Sequence, residues 1–165
     1  MEAYDRGPAT PALLDDTIPA NLARTVAAHG ANEALVAVHQ GIRWTYAEFG
    51  ERVRRLAAGL AGAGLTTGDR VGLWSPNYAE WTLTQYATAE LGVILVNINP
   101  AYRTHELAYA LNQSGCRWVI AAPSFKTSDY RAMLADVEAE CQALERCVFF
   151  WTDEWDALAA GEGGV

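Results

Sequence analysis

Residues 70–121 read RVGLWSPNYAEWTLTQYATAELGVILVNINPAYRTHELAYALNQSGCRWVIA. Three short apolar segments in this stretch are separated by two longer ones, each of which carries helix start and stop signals. Strands that alternate with helices of ten or more residues form βαβ units, whose strands pair in parallel through right-handed crossovers. The stretch therefore predicts an α/β fold, a parallel sheet with flanking helices.

The same signals give the bounds of the predicted elements. We predict strands over residues 70–74, 93–96, 117–121 and 147–151, and helices over residues 77–91, 104–114, 129–140 and 155–160. Asn77 together with Glu80 is expected to cap the first of these helices, and Thr104 the second. Gly92 and Gly115 are placed to end them, because glycine adopts the left-handed conformation that helix ends favour.

Upstream of this unit the sequence predicts a short helix, a hairpin and a long helix. The short helix covers residues 20–29, and strands over residues 34–39 and 42–44 flank a Gln40-Gly41 turn. Thr45 and Glu48 match a capping box, after which apolar residues recur at helical spacing until Gly64 provides a stop. We divide the chain into a flexible leader (residues 1–16), one α/β unit (residues 17–160) and a flexible end (residues 161–165).

Composition and charge exclude several classes of protein. A length of 165 residues suits one domain, and 51% hydrophobic residues with six tryptophans predict a packed core. The formal net charge of −8, with scattered basic residues, argues against nucleic acid and anionic membranes as partners. Three cysteines without a CxxC pair do not indicate a disulfide framework or a zinc site. We see no transmembrane segment and no basic region in the acidic leader, so we expect a cytoplasmic protein.

Residues that could carry chemistry are few. The glycines at positions 59, 62, 64 and 68 lie at the end of a helix, whereas a dinucleotide-binding loop follows a strand and opens a helix. There is no GxSxG elbow, and none of His29, His39 and His105 lies beside a candidate nucleophile. Lys126 is the only lysine, in a predicted surface loop. We therefore assign no catalytic, cofactor-binding or metal-binding residue in this chain.

Three predicted loops lie where a ligand would be expected. In an open parallel sheet, ligands bind beyond the carboxyl ends of the strands. Residues 75–77, 97–103 and 122–124 form the loops at that edge, and none of them contains a glycine-rich phosphate-binding sequence.

The most distinctive sequence in the chain is NINPAYRTHEL at residues 97–107, which follows an apolar strand and opens a helix. Three further segments precede it in order: WTYAE at residues 44–48, GDRV at residues 68–71 and SPN at residues 75–77. Together they resemble the N-terminal part of the medium- and long-chain fatty acyl-CoA synthetases, members of the AMP-binding, adenylate-forming superfamily. The resemblance covers roughly residues 20–150.

The resemblance implies a two-step reaction. A fatty-acid carboxylate attacks the α-phosphate of ATP to give an acyl-adenylate and pyrophosphate, and the thiolate of CoA then displaces AMP. Mg²⁺ and phosphate-binding groups offset the charge that develops at phosphorus. In the family these groups come from a Ser/Thr/Gly-rich loop ending in Pro-Lys-Gly and from a C-terminal lysine, which would follow residue 165; Lys126 matches neither.

The resemblance therefore implies that this chain alone binds no ATP, Mg²⁺ or CoA and is inactive. Its expected protein partner is the complementary part of the synthetase. Asn99, Pro100 and Tyr102 are our candidates for the residues nearest the acyl pocket. A structural role is the alternative, because Pro100 presets φ and Asn99 favours a turn, and a rigid turn that fixes the next helix would explain both.

Two other functions remain open at this stage. The chain could be a non-catalytic α/β interaction module or the product of a decayed gene. A nucleotide-binding oxidoreductase domain is a weaker third, because the glycine fingerprint is missing.

Overall fold

The computed structural model describes Gly7, Thr10 and residues 13–162. Most of the leader predicted over residues 1–16, and residues 163–165 of the predicted end, therefore lie outside the described residues. The helices are α1 (Ile18–His29), α2 (Tyr46–Gly62), α3 (Ala79–Leu91), α4 (Thr104–Ser114), α5 (Tyr130–Glu138) and α6 (Asp153–Ala160). The strands are β1 (Glu33–Ala37), β2 (Ile42–Thr45), β3 (Arg70–Trp74), β4 (Ile94–Ile98), β5 (Trp118–Ala121), β6 (Ser124–Phe125), β7 (Ser128–Asp129) and β8 (Arg146–Phe149).

Four strands form a parallel sheet in the order β4-β3-β5-β8. Val71 in β3 lies opposite Leu95 of β4 on one side and Trp118 of β5 on the other. The chain steps from β3 to β4 in one direction, and from β4 to β5 and on to β8 in the other. Right-handed crossovers therefore place α3 on one face of the sheet and both α4 and α5 on the opposite face. The contacts agree, since α3 packs against α1 and α2 while α4 packs against α5, and the predicted α/β fold is confirmed.

The central strands β3 and β5 are buried on both faces, as expected where helices cover both sides of a parallel sheet. Leu73 in β3 and Val119 in β5 have no exposed surface, and the same is true of Leu56 in α2 and Leu107 in α4. Burial of each such side chain stabilises the fold by about 1.5–3 kcal/mol. Among the described residues β4 has a partner strand on one side only, and its Ile94 is half exposed.

Helix α6 crosses α2 at a glycine. A Cβ atom on Gly59 would lie 2.0 Å from the carbonyl oxygen of Leu158, so no larger residue fits unless one of the two helices moves. Of the four glycines in the cluster at the end of α2, Gly59 lies inside the helix, where it allows α6 to approach closely. Gly64 and Gly68 follow the helix and adopt positive φ angles of 100° and 90°.

The predicted hairpin and capping box are confirmed, with one difference. Thr45 Oγ1 accepts a hydrogen bond from the amide of Glu48, and the Glu48 carboxylate accepts one from the amide of Thr45 at 2.8 Å. Strand β1 ends at Ala37, two residues earlier than predicted, because the chain turns through a 3-10 segment, Val38–Gln40. Gly41 follows this segment with a positive φ of 67°.

Two of the predicted helix caps are wrong. Asn77 does not cap α3: the N-cap residue is Tyr78, and the amide of Ala79 donates instead to Gln40 Oε1 at 2.8 Å. Thr104 is the first residue of α4 and not its N-cap. The amide of the preceding residue, Arg103, donates to the Glu106 carboxylate at 3.0 Å, which closes the first turn.

The segment before α5 also differs from the prediction. A short antiparallel hairpin, β6 with β7, replaces part of the expected loop, and α5 begins at Tyr130 after its N-cap Asp129. Lys126 lies in the turn of this hairpin with a φ of 54°. Strand β8 ends at Phe149, so that Trp151, which was predicted to lie in the strand, belongs to the loop that follows.

An ionic network joins the amino ends of β3 and β5. Asp69 Oδ2 accepts hydrogen bonds from the amide of Thr66 at 2.7 Å, from the Thr66 hydroxyl at 3.0 Å and from the Arg117 guanidinium at 2.9 Å. Arg117 also donates to the carbonyl oxygen of Gly64 and to Glu145. The bond from the Thr66 amide, followed by those from the Thr66 hydroxyl and Arg117, lowers the pKa of Asp69.

The capping box gives the first prediction. Thr45→Ala removes the acceptor for the first-turn amide of α2 and should lower the free energy of unfolding by about 1 kcal/mol. Thr45→Ser, which keeps the hydroxyl, is the matched control and should stay close to the parent. Urea unfolding midpoints measure both; equal midpoints for the alanine variant and the parent would contradict the assigned start of α2.

The Asp69 network gives a prediction about pH. Because the pKa of Asp69 is lowered in the folded state, its stabilisation is present above the unfolded value of 3.8 and is lost as the pH falls through the folded value. Asp69→Asn should therefore destabilise the chain at neutral pH, by about 1–2 kcal/mol for the weakened hydrogen bonds. The difference in the free energy of unfolding between Asp69→Asn and the parent should become smaller as the pH falls.

The control for this experiment is Glu145→Gln, which removes only the more exposed partner of Arg117 and should have the smaller effect at neutral pH. Thermal unfolding across an acid-to-neutral series measures both variants. A difference between Asp69→Asn and the parent that does not change with pH would show that the carboxylate charge contributes nothing.

Candidate functional site

The loops after β3, β4, β5 and β8 meet at the carboxyl edge of the sheet. They comprise residues 75–78, 99–103, 122–123 and 150–152. The first three of these loops were predicted to lie at this edge, and the register of the parallel strands brings them together. The sequence did not predict the fourth loop, because the apolar residues 149–151 continue the strand pattern past the residue at which the strand ends.

Two stacked aromatic side chains lie beneath these loops. Trp74 ends β3 and Tyr130 begins α5; their ring centroids are 3.6 Å apart, their planes differ by 10°, and both side chains are fully buried. Burial, with a smaller contribution from Tyr78, raises the pKa of Tyr130 to about 12, so its hydroxyl is a permanent donor at neutral pH. The Trp74 indole donates to the carbonyl oxygen of Asn99 at 3.0 Å, and the Tyr130 hydroxyl donates to that of Pro100.

The candidate residues Asn99, Pro100 and Tyr102 lie together in one tight turn, which we call the 99–102 turn. The amide of Ala101 donates to Asn99 Oδ1 at 2.9 Å, and the amide of Tyr102 donates to the carbonyl oxygen of Asn99 at 3.0 Å. The turn leads directly into α4. These bonds support the rigid-turn role, and they leave proximity of the turn to an acyl pocket as a prediction.

A shallow cavity of about 310 Å³ adjoins the turn on the outer side of α4. It is lined by Tyr102, His105, Glu106, Tyr109, Ala110 and Gln113. Tyr109 is one of the large hydrophobic side chains that remain exposed. The Tyr102 side chain, half-buried at the base of α4, is therefore the member of the 99–102 turn that lines this cavity.

A second cluster at the same edge was not anticipated. Glu80, almost fully buried at the start of α3, accepts hydrogen bonds from Gln40 Nε2 at 2.8 Å and from the Trp151 indole at 2.9 Å. Trp151 has a positive φ of 62°, and its ring meets that of Tyr78 edge to face at 4.8 Å. The cluster therefore links the β1–β2 hairpin, the first turn of α3 and the loop after β8.

A groove of about 380 Å³ runs between this hairpin and α3. Its lining includes Val36, Val38, His39, Tyr78 and Trp81, and Val38 is largely exposed. The ring centroid of His39 lies 5.4 Å from that of Tyr78, which gives the groove an aromatic end. No sequence pattern signals this groove, because its two sides come from segments about 40 residues apart in the chain.

The three cysteines and the single lysine lie outside these clusters. Burial raises the pKa of Cys147 to about 11, and it also raises the pKa values of Cys116 and Cys141, so all three are protonated thiols at neutral pH. The Lys126 ammonium lies 5.2 Å from the Phe125 ring, in the β6–β7 turn. Among residues 13–162, no three His, Cys, Asp or Glu side chains are grouped so that they could hold a metal ion.

The loops at the carboxyl edge contain neither glycine nor lysine. Main-chain amides of glycine-rich loops and lysine side chains are the groups that usually hold phosphates. In the described part of the chain, no helix combines the length and apolar character needed to cross a bilayer.

Comparisons with known proteins agree on one group. The model of the AMP-binding enzyme family matches residues 22–162. Over 143 residues the chain is 42% identical to a mitochondrial medium-chain acyl-CoA ligase of Danio rerio, an alignment that covers 87% of this chain and 23% of the ligase. The chain thus spans about a quarter of the length of this relative.

Solved structures show the same fold. A long-chain-fatty-acid-CoA ligase of Archaeoglobus fulgidus superposes with a TM-score of 0.82, covering 99% of this chain and 33% of that protein at 20% identity. The N-terminal domain of a Mycobacterium tuberculosis protein, FACL13, superposes with a TM-score of 0.77, covering 87% of this chain and 35% of that domain at 24% identity. At these identities the likeness establishes the fold alone.

The second cluster gives a prediction. Gln40→Ala leaves the amide of Ala79 without its acceptor and the buried Glu80 carboxylate without one donor, and should lower the free energy of unfolding by about 1–3 kcal/mol. Gln113→Ala, at an exposed position of α4, is the matched control and should stay within about 0.5 kcal/mol. Urea unfolding of both variants is the measurement. Equal effects would show that the cluster does not hold the hairpin against α3.

Proposed function

Because the chain belongs to the AMP-binding enzyme family, we propose that it forms the N-terminal part of a fatty acyl-CoA synthetase. The observation that carries this proposal is the identity of 42% with an acyl-CoA ligase over 143 residues; the family match at residues 22–162 includes both the hairpin and the parallel sheet. The fatty acid is the proposed substrate class, since the relative at 42% identity is a medium-chain acyl-CoA ligase.

The proposed reaction joins a carboxylic acid to CoA at the expense of ATP. The carboxylate attacks the α-phosphate, pyrophosphate leaves, and the CoA thiolate then displaces AMP from the acyl-adenylate. In this proposal ATP, Mg²⁺ and CoA are bound by other parts of the synthetase, because the carboxyl edge of this chain offers neither glycine-rich amides nor a lysine. Mg²⁺ bound in those other parts would neutralise the charge on the phosphates.

The contribution of this chain is to position the acyl group. The 99–102 turn is held from beneath by Trp74 and Tyr130 and leads into α4, so it offers a fixed surface at the edge where ligands of parallel sheets bind. A fixed surface favours binding of the acyl chain, because little conformational freedom of the protein is lost when the ligand is held. We therefore keep Asn99, Pro100 and Tyr102 as the residues proposed to lie nearest the acyl chain.

A non-catalytic interaction module is the alternative function. Pyrophosphate exchange by a chimera with a known ligase distinguishes such a module from part of a synthetase.

The cytoplasmic location stays a prediction. The Danio rerio ligase is mitochondrial by name, so localisation of a tagged copy in cells is the measurement that applies.

We predict that the 165-residue chain alone produces no acyl-adenylate. With a fatty acid and MgATP, exchange of labelled pyrophosphate into ATP should stay at the level of a protein-free blank. A chimera should be active: residues 22–162, the segment that matches the family, replace the corresponding segment of the Danio rerio ligase. The unmodified ligase is the control.

Two outcomes would count against the proposal. Exchange above the blank by the chain alone would show that it contains its own nucleotide site. A chimera that folds, with a thermal transition like that of the unmodified ligase, yet catalyses no exchange would favour the interaction module.

A further inference from the structure

We propose that Trp74 and Tyr130 are positioning residues for the acyl chain, because they fix the orientation of the 99–102 turn from below. The inference rests on the proposed function for the identity of the ligand, a fatty acyl chain. The mechanical part of it, that two buried aromatic donors determine the shape of the turn, stands on the geometry of this chain alone.

The two side chains bond two successive carbonyl groups. Trp74 Nε1 donates to the oxygen of Asn99, and the Tyr130 hydroxyl donates to the oxygen of Pro100. Consecutive carbonyls in an extended chain point in opposite directions, so both can be bonded from one side only where the chain turns. The pair of donors therefore selects the turned conformation over an extended one.

The donors themselves are held firmly. Their rings are stacked and have no exposed surface, and the amide of Tyr130 donates to the carbonyl oxygen of Pro123 at 3.1 Å. Trp74 is anchored in the central strand β3 and Tyr130 at the start of α5, so the two rings come from opposite ends of the β3–α5 segment. A shift of either element would move the turn with it.

The upper side of the turn is where a ligand would meet it. Asn99 and Ala101 are exposed, and Tyr102 lines the cavity of about 310 Å³ beside α4. Neither Trp74 nor Tyr130 has surface exposed on that side, since both side chains are fully buried. They can thus influence an acyl chain only through the backbone they hold, which makes them positioning residues and not contact residues.

The first test measures the turn directly. The amides of Ala101 and Tyr102 bond only to Asn99, so their hydrogen exchange reports whether the turn is closed. Tyr130→Phe keeps the stacked ring and removes the hydroxyl, and should speed both exchange rates about tenfold. Trp74→Phe, which removes the indole donor, is the second variant and should act in the same direction.

The matched control is Tyr86→Phe. Tyr86 packs edge to face against Phe49 with ring centroids 5.2 Å apart, in the helical layer that contains α2 and α3. It should leave the exchange of Ala101 and Tyr102 unchanged. If Tyr130→Phe and Trp74→Phe both behave like this control, the positioning role is overturned, whatever the activity of any enzyme that contains the chain.

The second test measures acyl selectivity in the chimera with the Danio rerio ligase. Across a series of saturated fatty acids, Tyr130→Phe should raise KM for the longer acids about tenfold relative to the shorter ones, because a loosened turn weakens acyl binding. The value of kcat should change by less than about twofold, since no group that reacts is removed. A variant that is only less stable would instead lose the same fraction of its activity with every acid, because less of the enzyme is folded.

The two tests separate the inference from the function on which it rests. Faster exchange together with a uniform KM overturns the acyl role and leaves the proposed function standing. A chimera that is inactive with every acid, even with the parent residues, overturns the proposed function and the acyl role together; the exchange rates then still decide whether Trp74 and Tyr130 hold the turn.

Discussion

The stack of Trp74 on Tyr130 is the contact on which the carboxyl edge of this sheet depends. In many doubly wound folds the crevice beyond the strand ends is open and receives the ligand. Here the end of β3 and the start of α5 supply two large rings that are fully buried and bonded to the loop after β4. The space directly beyond the end of β3 is therefore occupied by these two rings and by the 99–102 turn to which they bond.

A second interaction at this edge caps a helix with a side chain that is distant in sequence. The first amides of a helix need acceptors, which are usually supplied by the residue that precedes it. In α3 the acceptor is Gln40, from the turn of the hairpin, and the same amide side chain also donates to Glu80. Because Glu80 in turn accepts from Trp151, three segments that are distant in sequence share one buried carboxylate. Polar groups here set the relative positions of elements that apolar packing alone would leave free to slide.

How far the sequence predicts this structure depends on the range of the interaction concerned. The parallel strands, the Thr45 capping box and the helix ends at Gly92 and Gly115 were predictable, because each is encoded within a few residues. The cap of α3 was not, since Asn77 is a good local candidate and only the fold reveals that Gln40 reaches the amide first. The turn of Asn99 and Pro100 was predictable as a turn, whereas the buried donors beneath it lie 25 and 30 residues away in the chain. Pairings at such distances leave no periodic trace in a single sequence.

The close crossing of α2 and α6 at Gly59 has a consequence for the order in which the chain can fold during synthesis. The surface of α2 that surrounds Gly59 is covered by Leu158 and its neighbours, which are translated about 100 residues later, roughly 5–20 s at ordinary elongation rates. During that interval the nascent chain exposes an apolar helix face that has no covering element. That face is therefore available to chaperones from the time α2 leaves the ribosome until α6 packs against it.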